Sequence, residues 1–264
     1  MWLHILNCGF EGELQVDNTA RFDGKGEIYA RARPSYAAEL FVYMKNTLQI
    51  EEGSVFAGIG AGTGIFSRHL LNNGYRVYGV EPNADMRKKA EETLSGYRGF
   101  TLVDGADHNT NLPSRSVDYI AAAQAFHWFN AAAFKRECRR ILRPDGKIFI
   151  VYNIRDESAE CSRALAGIHR RYCPDFQGFS KGMNDEKCCA FFDGRCDIFR
   201  ADNSRMYDRQ GYLNRVLSSS YSLHENDAEY GEYLAGVNRI FDQFSKDGFM
   251  SVPMQTAAYI GNIS

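Results

Sequence analysis

Residues 55–66 read VFAGIGAGTGIF: an apolar run, a turn carrying Gly58, Gly60, Gly62 and Gly64, and the start of a helical pattern. A strand that turns this way into a helix sets bare backbone amides at the C-terminal edge of a parallel sheet, where ligands of open α/β folds bind. Glycine is required wherever a side chain would block that approach or φ turns positive. The turn is neither a dinucleotide fingerprint, G-x-G-x-x-G, nor a phosphate loop ending in Gly-Lys-Ser/Thr. Counted from Gly58, Gly60 or Gly62, the third-glycine position holds Thr63, Ile65 or Ser67, and no Lys follows Gly64. The plain alternative is a tight turn without a ligand. Against it stands Glu81 in VYGVEP, 21 residues beyond Gly60 at the end of the next apolar run. A carboxylate there accepts both hydroxyl hydrogen bonds of a ribose. The pattern asks for an adenosine-like group and makes no provision for a phosphate.

Around the turn, short apolar runs alternate with helical patterns. SVFAGI, YRVYGVE, GFTLV, DYIAAA and KIFIVYN are rich in β-branched or aromatic residues and bounded by turn signals, which predicts strands. GIFSRHLLNN, ADMRKKAEETL and AAFKRECRRILR predict helices between them, the last stopping at the turn Pro144-Asp145-Gly146. PSYAAELFVYMKNTL predicts a further helix ahead of the first strand, with Pro34 in its first turn. Strands separated by helices call for a parallel sheet with right-handed crossovers. After about Asn153 the pattern changes. SAECSRALAGIHRRY predicts a helix, and an irregular Gly- and Cys-containing region follows to about Arg195. DIFRADNSRMYD reads as one strand, residues 225–247 carry an apolar stripe at helical spacing, and MQTAAYIGNI reads as a last strand. This half is expected to complete the same sheet and cover the strand ends.

Composition narrows the partners. The formal charge is −2, from 31 basic against 33 acidic residues, and no basic block stands out, so neither nucleic acid nor a membrane surface is expected. No apolar run reaches the length of a membrane span, and MWLHILNCGFEGEL lacks the marks of a signal peptide. Seven cysteines, odd in number and without a CxxC pair, suit a reducing cytoplasm. Cys173, Cys188, Cys189 and Cys196 with His169 match no zinc spacing, so ordinary thiols and no metal are expected.

GIGAGTG, then VEPNADM, then GADHNTNLPSRSVDYIAAAQAFHWFN together resemble a class I S-adenosylmethionine-dependent methyltransferase. More narrowly, they resemble the methyltransferase type-11 group with the trans-aconitate-methyltransferase-like proteins. YARARPSYAAEL, SSSYSL and TAAYIGNI fit the same subgroup. The resemblance implies an α/β fold, a Rossmann-like doubly wound seven-stranded sheet with its last strand antiparallel. It implies one domain over 15–264, a cofactor core at about 34–153 and a cover at about 154–264, with 1–14 outside the pattern. It implies S-adenosyl-L-methionine as cofactor and a small-molecule substrate; the oligomeric state is left open. Gly60, Ala61, Gly62 and Gly64 would pass beneath its methionine part, Glu81 would hold the ribose, and Pro82 would lie beside it. Ala106 would offer its amide to the adenine, and Asp104 or Asp107 would accept from the adenine amino group. Gln124 would lie near the methionyl amine, and Tyr29 and Arg33 would fold over the cofactor. One departure is Gly58, where the family usually carries an acidic residue; a second is Gly105, where some relatives carry the adenine-binding Asp.

The chemistry asks for little, because a sulfonium methyl is already activated; alignment and exclusion of water are the main tasks. A general base is needed only when the acceptor carries a proton. His127 is the best-placed candidate, and its plainer role is to orient its loop or touch the cofactor. Phe126, Trp128 and Phe129 are candidates for a pocket wall, and Tyr207 and Tyr221 for substrate contacts. The expected activity is cytoplasmic methyl transfer to a small molecule, with a carboxylate oxygen as one acceptor. The alternatives are a catalytically silent cofactor binder, motivated by Gly58, and a nicotinamide dehydrogenase, disfavoured by the missing third glycine.

Overall fold

The computed structural model describes residues 35–263. Its centre is a seven-stranded sheet in the order β3-β2-β1-β4-β5-β9-β6. The strands are β1 (Val55–Ile59), β2 (Arg76–Val80), β3 (Phe100–Val103), β4 (Val117–Ala123), β5 (Leu142–Arg155), β6 (Asp197–Asp202) and β9 (Met254–Gly261). The first five are parallel, and β9 runs antiparallel to both β5 and β6. This is the expected doubly wound sheet with one reversed strand. Helices α1 (Ala38–Asn46), α2 (Ile65–Asn72), α3 (Ala84–Leu94) and α4 (Ala131–Ile141) belong to the core half. Helices α5 (Glu160–Tyr172), α6 (Asp185–Ala190), α7 (Arg209–Leu217) and α8 (Tyr230–Phe244) follow, with a separate ribbon of β7 (Arg205–Tyr207) and β8 (Met250–Val252).

All five residues of β1 are buried, as a strand covered on both faces requires. Along β5 the period of two sorts side chains between layers. Ile148, Ile150 and Tyr152 join Phe134, Ile141 and Phe191 on one face, while Phe149 and Val151 join Phe56, Leu40 and Leu70 on the other. A third cluster, with Leu165, Tyr212, Tyr233, Val237 and Met250, holds α5, α7, α8 and the ribbon together. Asn83 and Asn130 start α3 and α4 by accepting the N–H groups of Met86 and Ala133.

Several elements differ from expectation. DIFRADNSRMYD is two strands, because the chain leaves the sheet at Asn203, whose N–H donates to Met254 O. The short elements α6 and β8 carry too few residues to show a period, and α7 buries only Tyr212 and Val216, too sparse a stripe to announce a helix. Leu142 follows α4 directly into β5, and Pro144-Asp145-Gly146 forms an irregularity there, with Asp145 at φ +65°. Ordinary thiols were expected throughout, but Cys189 and Cys196 form a disulfide; the turns after α6 bring the chain back on itself within seven residues. Cys138, Cys161, Cys173 and Cys188 are free and buried. Among the described residues, no helix is long and apolar enough to cross a membrane, and no group of three or more His, Cys, Asp and Glu is arranged to hold a metal.

Candidate functional site

The glycine turn leads from β1 into α2, with positive φ at Gly60 (66°), Gly62 (56°) and Gly64 (82°). The three differ in what a side chain would meet. At Gly60 a Cβ would lie 2.7 Å from Ala125 Cβ, and at Gly64 2.5 Å from Leu94 Cδ1, so internal packing excludes one at both. At Gly62 nothing lies within 4 Å. Gly62 therefore keeps a patch of backbone open rather than filling a protein contact. Beside it, the buried Thr63 Oγ1 has no hydrogen-bond partner, a feature the motif alone does not reveal. At Gly58 a Cβ would make only an ordinary 3.4 Å contact with Ser67 Oγ, so packing does not demand glycine there.

Glu81 is joined directly to this turn. Its Oε2 accepts the Gly62 N–H (2.8 Å) and its Oε1 accepts the Asn83 N–H (2.9 Å). Burial pushes the Glu81 carboxyl up from its ordinary range, against the two amides and the Arg87 charge, which favour the anion. Arg87 was missed by sequence reasoning. It donates Nη1 to the carbonyls of Glu81 (2.9 Å) and Pro82 (2.6 Å) and pairs with Asp104 through Nη2 (3.0 Å). It brackets the ends of β2 and β3, and its only sequence signal is its place in the first turns of α3.

The two candidate aspartates part company. Asp104 is turned outward, its side chain 72% exposed and tied to Arg87. The Asp107 side chain is 14% exposed; Oδ1 faces His108 Nδ1 at 3.3 Å, while Oδ2 is buried without a partner. The Ala106 amide, expected to face a base, instead donates to Asn109 O (2.9 Å), and Asn109 N–H returns to Ala106 O. That tight turn has its reason in Gly105, where a Cβ would sit 2.7 Å from Thr110 O.

At the end of β4, Gln124 adopts φ +55°, and its Nε2 donates to Asn153 O (3.2 Å), leaving Oε1 as the acceptor of that side chain. In the following loop the His127 N–H donates to Tyr152 Oη (2.9 Å), and His127 Nδ1 lies 3.1 Å from the same oxygen. Tyr152 thus fixes the ring of His127, a role hidden in KIFIVYN because the residue reads there as core. Phe126 is core, packed on Phe134 and Phe191, and Phe129 packs at a tilt against Phe134 and lies beside Gly60. Trp128 lies beside His127, with ring centroids 4.9 Å apart. Tyr207 and Tyr221 belong to the third cluster, where Tyr221 packs edge-on against His169.

Tyr29 and Arg33 lie outside the described residues. The chain just after them is anchored at the same sheet edge: Ser35 O accepts from Asn203 (2.8 Å), Asn153 (3.2 Å) and Arg205 (3.2 Å). Thr256 Oγ1 accepts the Ala37 N–H (2.9 Å) and donates to Asn153 Oδ1 (2.7 Å).

Residues 57–150 match the family described as a methyltransferase domain. An uncharacterized methyltransferase-like protein of Schizosaccharomyces pombe is 30% identical over 186 residues, covering 64% of this chain and 69% of the relative. A Dictyostelium discoideum relative, also named as a methyltransferase, is 34% identical, and the match spans 51% of each chain. Among solved structures, one from Anabaena variabilis, named as a methyltransferase of an antibiotic biosynthesis pathway, superposes with a TM-score of 0.59 at 21% identity. That match covers 87% of this chain and 98% of the other. The YcgJ protein of Bacillus subtilis gives 0.57 at 16%, covering 85% and 98%. At such identities these structures speak for the fold. Together with the sequence relatives and the glycine turn joined to Glu81, they show that the chain belongs to the class I S-adenosylmethionine-dependent methyltransferases.

Proposed function

We propose that this chain transfers a methyl group from S-adenosylmethionine to a small-molecule acceptor, with a carboxylate oxygen as the acceptor atom. The observation that carries this reading is the open backbone at Gly62, bonded to the buried carboxylate of Glu81. The residues present fit a nucleoside cofactor. Glu81 keeps lone pairs for two ribose hydroxyls beyond those taken by Gly62 and Asn83. Asp107 Oδ2 is a buried acceptor awaiting a donor such as an exocyclic amine, and we assign the adenine contact to it rather than to Asp104. Gln124 Oε1 is the acceptor for the methionyl amine, Gly60, Ala61 and Gly64 shape the turn beneath it, and Pro82 closes its ribose side.

Bound S-adenosylmethionine supplies an electrophilic methyl that needs no further activation. What the chain adds is alignment. His127, held by Tyr152, keeps the loop after β4 in place, and it is the residue that would take a proton from a protonated acceptor. A carboxylate acceptor needs no such step. The reading includes one domain over 15–264, with residues 154–264 covering the acceptor, and a cytoplasmic setting, supported by four free thiols and opposed by the Cys189–Cys196 bond.

Calorimetric titration with S-adenosylmethionine tests it, beside NADH and the variants Glu81→Ala, Asp107→Asn and Asp104→Asn. The expected result is micromolar binding of S-adenosylmethionine and none of NADH. Binding should be lost with Glu81→Ala, about tenfold weaker with Asp107→Asn, and within about twofold with Asp104→Asn, as hydrogen bonds to charged groups predict. Folded protein that ignores S-adenosylmethionine, or binds it equally well in Glu81→Ala, sinks the proposal.

A further inference from the structure

Beyond the glycine turn, buried side-chain polar atoms without a hydrogen-bond partner recur in the second half of the chain. Among the described residues they include Arg155 Nη1 at the end of β5, Ser162 Oγ in α5, Arg205 Nε and Tyr207 Oη in β7, and Tyr212 Oη in α7. Native interiors pair nearly all such groups, so a buried charged group left with an unpaired donor marks a place where something else completes the bonding.

Arg155 is the one that stands at the end of a central strand. It is only 6% exposed, near the C-terminal end of β5, two residues beyond Asn153, whose carbonyl holds Gln124. It therefore lies at the same sheet edge as the candidate cofactor residues. Its guanidinium rests over the Phe179 ring, 5.0 Å from the centroid. None of the ion pairs among the described residues includes it. Two described neighbours that feel its charge, His169 and Tyr212, are themselves neutral. Burial holds His169 neutral, its pKa pushed down to about 3, and Arg155 and Arg215 both add to that depression. The same two arginines face Tyr212, where burial raises the phenol to about 12 against their pull. A guanidinium taken out of water without a counter-ion is costly, and a fold that retains one gains from an anion that arrives later.

We propose that Arg155 binds an anionic group of the acceptor, a carboxylate, as a handle distinct from the atom that receives the methyl. This rests on the reading of the chain as a small-molecule methyltransferase. The planar fork of arginine matches a carboxylate in two hydrogen bonds, and the Phe179 face keeps that fork in one plane. A carboxylate clamped this way is fixed in place and its charge is drawn toward the guanidinium, so it serves as the anchor while another atom of the acceptor takes the methyl. Tyr212, which feels the Arg155 charge, supplies a hydroxyl donor from α7. The acceptor class is then an acid whose apolar body meets aromatic side chains, Phe176, Phe179 and Tyr221.

The test uses the full chain with benzoate, phenylacetate, hexanoate, decanoate, succinate and citrate, each beside its amide. Binding of all six is read by thermal shift and calorimetry without S-adenosylmethionine; methyl transfer is then read with it for succinate and citrate, which keep a second carboxylate when one is clamped. At least one acid is expected to stabilise the wild-type protein while its amide does not. Arg155→Met should abolish that shift, and Arg155→Lys should retain only part of it. Without ligand, Arg155→Met should melt at or above the wild-type temperature, since it removes an uncompensated buried charge. In transfer assays the loss should appear as a rise of at least tenfold in KM with kcat little changed. A large drop in melting temperature for Arg155→Met would assign the charge a structural task and overturn the proposal. So would acid binding that survives the substitution, or no acid of the panel binding wild-type protein. Failure of S-adenosylmethionine to bind, with acid binding intact, would instead count against the proposed activity alone.

Discussion

A methyl group added at Gly60 and one added at Gly62 ask different questions of the same turn. Gly60→Ala meets Ala125 Cβ at 2.7 Å and must hold φ near 66°. It is expected to lose about 2–4 kcal/mol of stability through overpacking and left-handed strain. Gly62→Ala has open space and only the strain of φ 56°, about 1–2 kcal/mol. Its main effect should fall on ligand affinity, by tenfold or more. Denaturant unfolding and calorimetry on both variants check the contrast. The motif GIGAGTG shows that the backbone must be bare somewhere in this turn, but not which glycine serves the ligand. That difference lies in Ala125 and Leu94, residues brought in by other strands and helices. The choice between Asp104 and Asp107 has the same character, because burial and the pull of Arg87 decide it.

Between elements, Glu137 is the clearest joint. From α4 it accepts the Thr110 N–H (2.8 Å) and hydroxyl (2.6 Å), and it receives Arg140 Nη2 (2.6 Å) and Nε (2.8 Å). It fastens the loop carrying Asp107 to the helix that follows β4. Burial works to raise its pKa, but the hydrogen bonds from Arg140 and Thr110 outweigh it and hold the carboxyl down at about 2. The folded value lies below the ordinary 4.5, so this group's contribution is complete above that pH. It is lost as pH falls from about 4.5 to about 2. Glu137→Gln should therefore cost about 2 kcal/mol at neutral pH, and its stability should fall less steeply across the acid window; urea melts from pH 5 to 3 measure both. Elements with a strong period, such as α3 and α8, could be read directly from the chain. The short ones, α6, α7 and β8, take their form from the surfaces they pack on, so local pattern does not announce them.

At the scale of the molecule, Asn153 ties the parallel core to its cover. Its side chain donates to Ser35 O and accepts from Asn203 Nδ2 (2.9 Å) and Thr256 Oγ1 (2.7 Å), joining four separated stretches of chain. The proposal of one domain predicts a single cooperative unfolding transition for the whole chain. Asn153→Ala should lower its midpoint by roughly 4–10 °C, the equivalent of about 2–3 kcal/mol for buried partners left unpaired. Two separable transitions by calorimetry, with only the second moved, would divide the halves. By itself the sequence determined the strand–helix alternation, the parallel sheet, the glycine turn and the carboxylate of Glu81 at the end of the next strand, while the reversed strand was implied by the family resemblance. These are local periods and spacings, and backbone geometry translates them directly into structure. Only the tertiary structure decided the partnership of His127 with Tyr152, the bracket of Arg87, the outward turn of Asp104 and the burial of Arg155. Each of these depends on groups far apart in the chain and on how much water is left between them, which no stretch of neighbouring residues encodes.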